Sequence, residues 1–240
     1  MRWLWFAVLW ATPAVAVTCE NVDYAGASYT TCTVDVAAED LRLFHSDEAG
    51  EVLGSFDAIE TTIGPLSFAM NAGMYHDNRA PVGHYLERGV EKMRVVTSEG
   101  PGNFGLLPNG VFCIQDDAAW VFETLDYVAR RPACRDATQS GPMLVIDGAL
   151  HPRFLAEGTS RHVRNGVGTT ADGDRAVFVI SNDPVNFYDF GTFFRDFLQL
   201  PNALYFDGKV SRLYAPTLGR EDIGFQLGPI VGVLDDEDRR

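Results

Sequence analysis

Short runs of Val, Ile, Phe and Tyr, each bounded by Gly, Pro, Asn or Asp, set the rhythm of this chain. They predict strands at 29–36, 67–70, 111–114, 120–123, 143–146, 176–180 and 203–206. Asp147-Gly148 and Asp172-Gly173 carry the dipeptide of tight hairpin turns. One segment has a helical period instead: Phe187, Phe190, Phe194, Phe197 and Leu198 fall on one face. Asn186 is placed to cap that helix, Asp189 follows three residues on as in a capping box, and Pro201 lies beyond its end. The aromatic stripe reads as core packing against a sheet. Many strands and few helices predict a mixed α+β fold, largely β-sheet, in a single domain over 17–240.

The first sixteen residues stand outside that pattern. Arg2 precedes an apolar run at 3–10, and Ala14-Val15-Ala16 has the small-x-small form of a signal peptidase site. The run is shorter than the roughly 20 residues a membrane span needs. The expectation is a cleaved signal peptide over 1–16, with a cut after Ala16, no membrane span in the mature form, and a secreted or periplasmic location. A buried N-terminal helix or a retained anchor is the competing reading.

Composition sharpens the list of partners. The formal charge is −14, from 33 acidic and 19 basic side chains, with no basic stripe. Such a surface repels nucleic acid and anionic membrane, so an anionic substrate needs a local site built from a few arginines and backbone amides. The end of the chain, Asp235-Asp236-Glu237-Asp238-Arg239-Arg240, reads as a solvated tail. Four cysteines, Cys19, Cys32, Cys113 and Cys134, behind a signal peptide read as two disulfides. Three pairings are possible. The local one, Cys19–Cys32 with Cys113–Cys134, is favoured and closes loops of roughly 14 to 22 residues, each worth about 3 kcal/mol. Zinc is the rival, though no CxxC spacing is present.

The chain has no HExxH, GxSxG, Walker loop or dinucleotide GxGxxG. His45, His76, His84, His151 and His162 are dispersed without ligand spacing, so neither a metal nor another cofactor is expected. What remains are polar and glycine clusters at predicted strand ends: Asn71-Ala72-Gly73, Gln139-Ser140-Gly141-Pro142, Arg164 to Gly168, Asp207-Gly208 with Ser211 close behind, and Gly228-Pro229. Strand ends present side chains to a cleft, and nearby glycines let a ligand approach backbone amides. Taken singly, each cluster reads as a turn.

Taken together they resemble a family. Asn71-Ala72-Gly73-Met74-Tyr75, Ala137-Thr138-Gln139-Ser140-Gly141-Pro142, Arg164-Asn165-Gly166-Val167-Gly168 and Leu204-Tyr205-Phe206-Asp207-Gly208 occur in the order of the phosphodiester glycosidase family. The match is closest to its short, exported bacterial branch, which Pro108-Asn109-Gly110-Val111-Phe112 and the segment 181–188 also resemble. The resemblance runs from about Cys32 to Val233. It implies hydrolysis at an anomeric carbon bonded to a phosphodiester, releasing free sugar and a phosphomonoester. The family's best-known activity removes N-acetylglucosamine from a sugar–phosphate–sugar diester.

By position, the family's active-site pattern falls on Asn71, Gly73, Gln139, Ser140, Arg164, Asp207 and Ser211, with Gly141 and Asn165 beside them. Asp207 is the expected nucleophile or general base, and Arg164 the group that binds the departing phosphate. Asn71, Gln139 and Ser140 would orient the substrate. Phosphate is already a good leaving group, which lowers the demand for a second carboxylate; Asp77 and Glu123 are the options, though both read as surface charge. One departure stands out. Many relatives carry Asp-Gly-Gly followed by two serines, whereas this chain has Asp207-Gly208-Lys209-Val210-Ser211-Arg212, which puts substrate identity in question more than reaction class. The alternative is a non-catalytic binder of envelope glycans or phosphorylated polymers. Phosphodiesterase or phosphatase chemistry normally calls for metal-ligand clusters, which the sequence does not display.

Overall fold

The computed structural model describes residues 17–235, so the signal-peptide reading and all but the first residue of the acidic tail lie outside the described residues. In chain order the first strands are β1 (Thr18–Tyr24), β2 (Ala27–Asp35), β3 (Asp40–Phe44), β4 (Leu66–Asn71), β5 (Tyr85–Glu87) and β6 (Val90–Met93). There follow β7 (Gly110–Ile114), β8 (Ala119–Glu123), β9 (Asp136–Ser140), β10 (Met143–Ile146), β11 (Ala149–Leu150) and β12 (Asn165–Thr169). The last are β13 (Arg175–Ser181), β14 (Asn202–Tyr205), β15 (Leu213–Ala215), β16 (Arg220–Glu221) and β17 (Ile230–Leu234). Three short helices, α1 (Phe56–Thr62), α2 (Thr124–Arg130) and α3 (Phe187–Thr192), lie between them.

The strands form three antiparallel sheets. A seven-stranded sheet has the order β1-β2-β13-β12-β14-β10-β11; two five-stranded sheets run β16-β15-β4-β17-β3 and β6-β5-β9-β7-β8. All seven strand segments expected from hydrophobic pattern are strands, within a residue or two at their ends. The fold is the expected mixed, largely β-sheet domain. The Asp147-Gly148 turn joins β10 to β11 with φ of 47° and 80°, the doubly left-handed conformation that favours this dipeptide.

One core joins the three sheets. Phe178 from the large sheet meets Phe68 of the second at 4.8 Å and Phe112 of the third at 5.8 Å between ring centroids. Leu41, Met70, Ile114, Val167, Leu204 and Val231 fill the space around them. The outer face of the large sheet is covered by α3 and the turn that follows it, where Tyr29 stacks on Phe193 at 4.1 Å. Both disulfides take the local pairing, Cys19–Cys32 across the β1–β2 hairpin and Cys113–Cys134 from β7 to the segment after α2. That excludes zinc at these cysteines.

The helix at 187 departs in detail from its expected form. Asn186 caps it as predicted, accepting from the Asp189 amide at 2.8 Å. The Asp189 carboxylate pairs with Arg161 at 3.1 Å. After Thr192 the chain widens into a π-helical turn, Phe193–Phe197, in which the Leu198 amide donates to the Phe193 carbonyl five residues back. The wider turn shifts the register, so Phe193 points inward with Phe190 and Phe194, while Phe197 is left 45% exposed. Among the described residues no helix is long and apolar enough to cross a membrane.

Candidate active site

The large sheet and the β4 sheet meet at the ends of β4, β12 and β14, and two asparagines bind that junction together. Asn71, the last residue of β4, and Asn165, the first of β12, are both fully buried. Asn165 Nδ2 donates to Asn71 O at 3.0 Å and to Asn71 Oδ1 at 3.1 Å. Asn71 Nδ2 donates to the carbonyl of Asp207 at 2.9 Å, and its Oδ1 accepts from the Arg212 amide at 2.9 Å. One carboxamide thus holds both ends of the 207–212 loop. Ser211 Oγ closes the arrangement on Asn165 Oδ1 at 3.2 Å and on the carbonyls of Val163 and Gly208. Four of the residues marked by the family pattern, Asn71, Asn165, Asp207 and Ser211, therefore come together.

Asp207 follows β14 and caps a single helical turn, accepting from the Lys209 amide at 3.2 Å. Burial pushes its carboxyl above the ordinary carboxylate range, and the Lys209 amide and ammonium pull it partway back. It stands at the edge of a cleft of about 560 Å³ whose lining begins at Gly208 and continues through Lys209, Ser211 and Arg212. Ile223 and Phe225 also line the cleft. Lys209 and Arg212 give the cleft two cations, and Arg79, stacked 5.4 Å over the Tyr75 ring, adds to the positive field at Arg212. Sequence reasoning flagged Lys209 and Arg212 only as departures; their place in the cleft depends on the loop's course. Glu221 and Asp222 also line it, the latter held by the Arg220 guanidinium at 2.9 Å.

Arg164 lies behind this loop. Its side chain is 1% exposed and its guanidinium sits 3.7 Å over the Phe187 ring. Nε donates to Val185 O at 2.9 Å, Nη2 to Ser160 O at 2.9 Å, and Nη1 reaches the Tyr205 hydroxyl at 3.5 Å. Among the described residues no carboxylate lies within ion-pair distance of it. The Tyr205 hydroxyl in turn takes a hydrogen bond from the Gly208 backbone. A Cβ at Gly208 would collide with that hydroxyl and stand 2.8 Å from Tyr205 Cζ, so only glycine fits there. Tyr205 lies within one of the family motifs, but its link between Arg164 and Gly208 has no signature in the linear sequence.

Gln139, Ser140 and Gly141 occupy a neighbouring position at the end of β9. Gln139 is buried, with Oε1 accepting from the amides of His84 and Val96 at 3.0 Å each and Nε2 donating to Val96 O and Thr124 Oγ1. Gly73 packs directly on this strand: a Cβ there would lie 2.7 Å from Gln139 O. Gly141 backs onto Asn109 and precedes a cis proline. Ser140 Oγ is buried without a hydrogen-bond partner. Of the optional second carboxylates, Asp77 lies exposed in a loop and Glu123 caps α2 through the amides of Leu125 and Asp126.

This fold, with its asparagine-tied loop, defines the class. The family model for phosphodiester glycosidases matches residues 65–222, and the chain belongs to that family. The protein YigE of Escherichia coli strain K12, described as uncharacterized, is 33% identical over 214 residues, spanning 87% of this chain and 84% of its own. Among solved structures, the catalytic domain of zebrafish N-acetylglucosamine-1-phosphodiester alpha-N-acetylglucosaminidase, auto-inhibited by its pro-peptide, superposes with a TM-score of 0.60. That likeness covers 92% of this chain and 82% of the zebrafish domain at 13% identity. A hypothetical protein from Synechocystis has a TM-score of 0.59 at 12% identity, over 90% of this chain and 61% of its own. At these identities the solved structures speak for the fold.

Proposed function

We propose that this protein is an exported hydrolase that cleaves the bond between a sugar anomeric carbon and a phosphodiester oxygen. One observation carries the reading: a carboxyl raised by burial immediately precedes the loop that lines a cleft and supplies it with two cations, and that loop is fastened by Asn71 and Asn165. Membership of the phosphodiester glycosidase family supports this reaction class. The two disulfides suit an oxidising compartment outside the cytoplasm.

In this reading the carbon–oxygen bond to phosphate breaks, its electron pair leaves with the phosphate, and water supplies the hydroxyl to the anomeric carbon. The water proton goes to Asp207 as general base, or passes to the departing phosphate when water hydrolyses a glycosyl ester first formed on Asp207. Asp207, as nucleophile or general base, faces the developing positive charge on the sugar. Lys209 and Arg212 contact the departing phosphate, Arg212 from a position fixed through its amide by Asn71. Arg164 takes a different part from the direct phosphate clamp expected from sequence. Three of its N–H groups are committed to protein oxygens, so it acts as a positioning residue for Tyr205 and Gly208. Its uncompensated charge also favours an anion nearby. Gln139 and Gly73 hold the backbone of β9 against the Asn71 segment.

The test is incubation with α-N-acetylglucosaminyl phosphodiesters and related sugar-1-phosphate diesters, followed by product analysis. Free sugar with a phosphomonoester, lost in Asp207→Asn, is the expected result. Full turnover in that variant would overturn the role given to Asp207.

A further inference from the structure

Ile223 and Phe225 are 88% and 86% exposed, more than any other large apolar side chain described, and both line the cleft beside Asp207. Single exposed hydrophobics, such as Leu155 and Val90 elsewhere on this surface, need no explanation. A pair on the wall of a polar cleft is different, because it leaves apolar area facing the place where a ligand sits. Gly224, between them, is where the Arg212 guanidinium rests: a Cβ there would collide with it. The cation and the two apolar side chains are therefore joined at one point of the wall. Val163 and Val210 continue the apolar lining beyond them.

We propose that this wall is an aglycone subsite, and that the cleft selects a glycosyl phosphodiester whose phosphate carries an aliphatic chain. The inference rests on the glycosidase reading for the order sugar, phosphate, chain. With the phosphate at Lys209 and Arg212, the group on its far side runs along Ile223 and Phe225. A sugar in that position would need hydrogen-bonding partners, and neither side chain has a donor or acceptor. Phe225 alone could stack on a sugar face, but branched Ile223 offers no flat platform, whereas an alkyl chain packs on both. Of the nearby carboxylates, Asp222 is occupied by Arg220 and the Leu213 amide, and exposed Glu221 repels a second anion in the aglycone.

The experiment compares octyl and methyl diesters of N-acetylglucosamine 1-phosphate, below micelle-forming concentrations. Binding is measured by calorimetry and cleavage by product analysis of the same samples. The octyl diester is expected to bind at least about tenfold tighter, from burial of its chain against the wall. In the Ile223→Ser/Phe225→Ser protein that preference shrinks to under about threefold; both side chains are exposed, and a circular-dichroism melt confirms that the variant is folded. Equal affinity for the two diesters, binding of neither, or a preference that survives in the variant would overturn the proposal. Turnover separates it from the reading beneath it. Tight octyl binding without cleavage keeps the apolar subsite and removes the hydrolase, while equal binding with cleavage does the reverse.

Discussion

Replacing Asn71 with alanine tests how the site is held together. The side chain is fully buried and makes four contacts: with Asp207 O at 2.9 Å, Arg212 N at 2.9 Å, and the Asn165 carboxamide at 3.1 and 3.5 Å. Alanine would leave the Asp207 carbonyl and the Arg212 amide without that partner and Asn165 half-satisfied. An unpaired buried polar group costs about 1–3 kcal/mol, and the loop's partial access to water places these at the low end. The expected loss is about 2–4 kcal/mol, or roughly 5–12 °C in melting temperature for a domain of this size. Equilibrium urea unfolding at pH 7 measures it directly. Asn165→Ala removes the other half of the same network, so the double variant should cost less than the two singles by about 1 kcal/mol or more. A loss under about 0.5 kcal/mol for Asn71→Ala, or additive singles, would refute the account of a shared clasp.

Other outcomes follow from the same geometry. Because burial raises the Asp207 carboxyl, the folded protein binds its proton more tightly than the unfolded chain does. Its ionisation therefore costs stability as pH rises through the raised value, and Asp207→Asn should melt at the same or higher temperature at pH 7. That advantage should disappear below the ordinary carboxylate range, which paired melts at pH 7 and pH 3 would reveal. For turnover the same shift puts the acid limb of the rate profile above that of an ordinary carboxylate, read from kcat/KM between pH 3 and pH 7. Gly208→Ala forces a methyl onto the Tyr205 hydroxyl that Arg164 holds, and should lower kcat by about 100-fold or more by displacing Asp207. Removing Cys113–Cys134 with a double alanine variant opens a link between residues 21 apart and should cost about 3 kcal/mol in urea unfolding.

Seven of the seventeen described strands were legible because their apolar runs are short and flanked by turn residues, and the Asp147-Gly148 hairpin because its left-handed conformation selects that dipeptide. β12 was not. Asn165-Gly166-Val167-Gly168 reads as a polar, flexible stretch, yet it is an interior strand buried between β13 and β14. Its glycines answer to crowding that no local pattern announces: a Cβ on Gly168 would stand 2.6 Å from Leu200 Cδ1. Helices α1 and α2 were missed because each is about two turns long, too short for a period to emerge, and α2 is capped by a glutamate. At the site, the order of motifs identified Asn71, Asn165, Asp207 and Ser211, which the structure joins by hydrogen bonds. The commitment of Arg164 to carbonyls of Val185 and Ser160 was beyond sequence, since those acceptors belong to backbone and carry no side-chain signal. Lys209 and Arg212 were visible as residues and silent as to place.

Hydrolysis of an α-N-acetylglucosaminyl phosphodiester in oxygen-18 water tests the central claim most directly, because it identifies the bond that breaks. Attack at the anomeric carbon puts the label on the released sugar and leaves the phosphomonoester unlabelled. Label on the phosphate, or no product from any sugar-1-phosphate diester, would contradict the account.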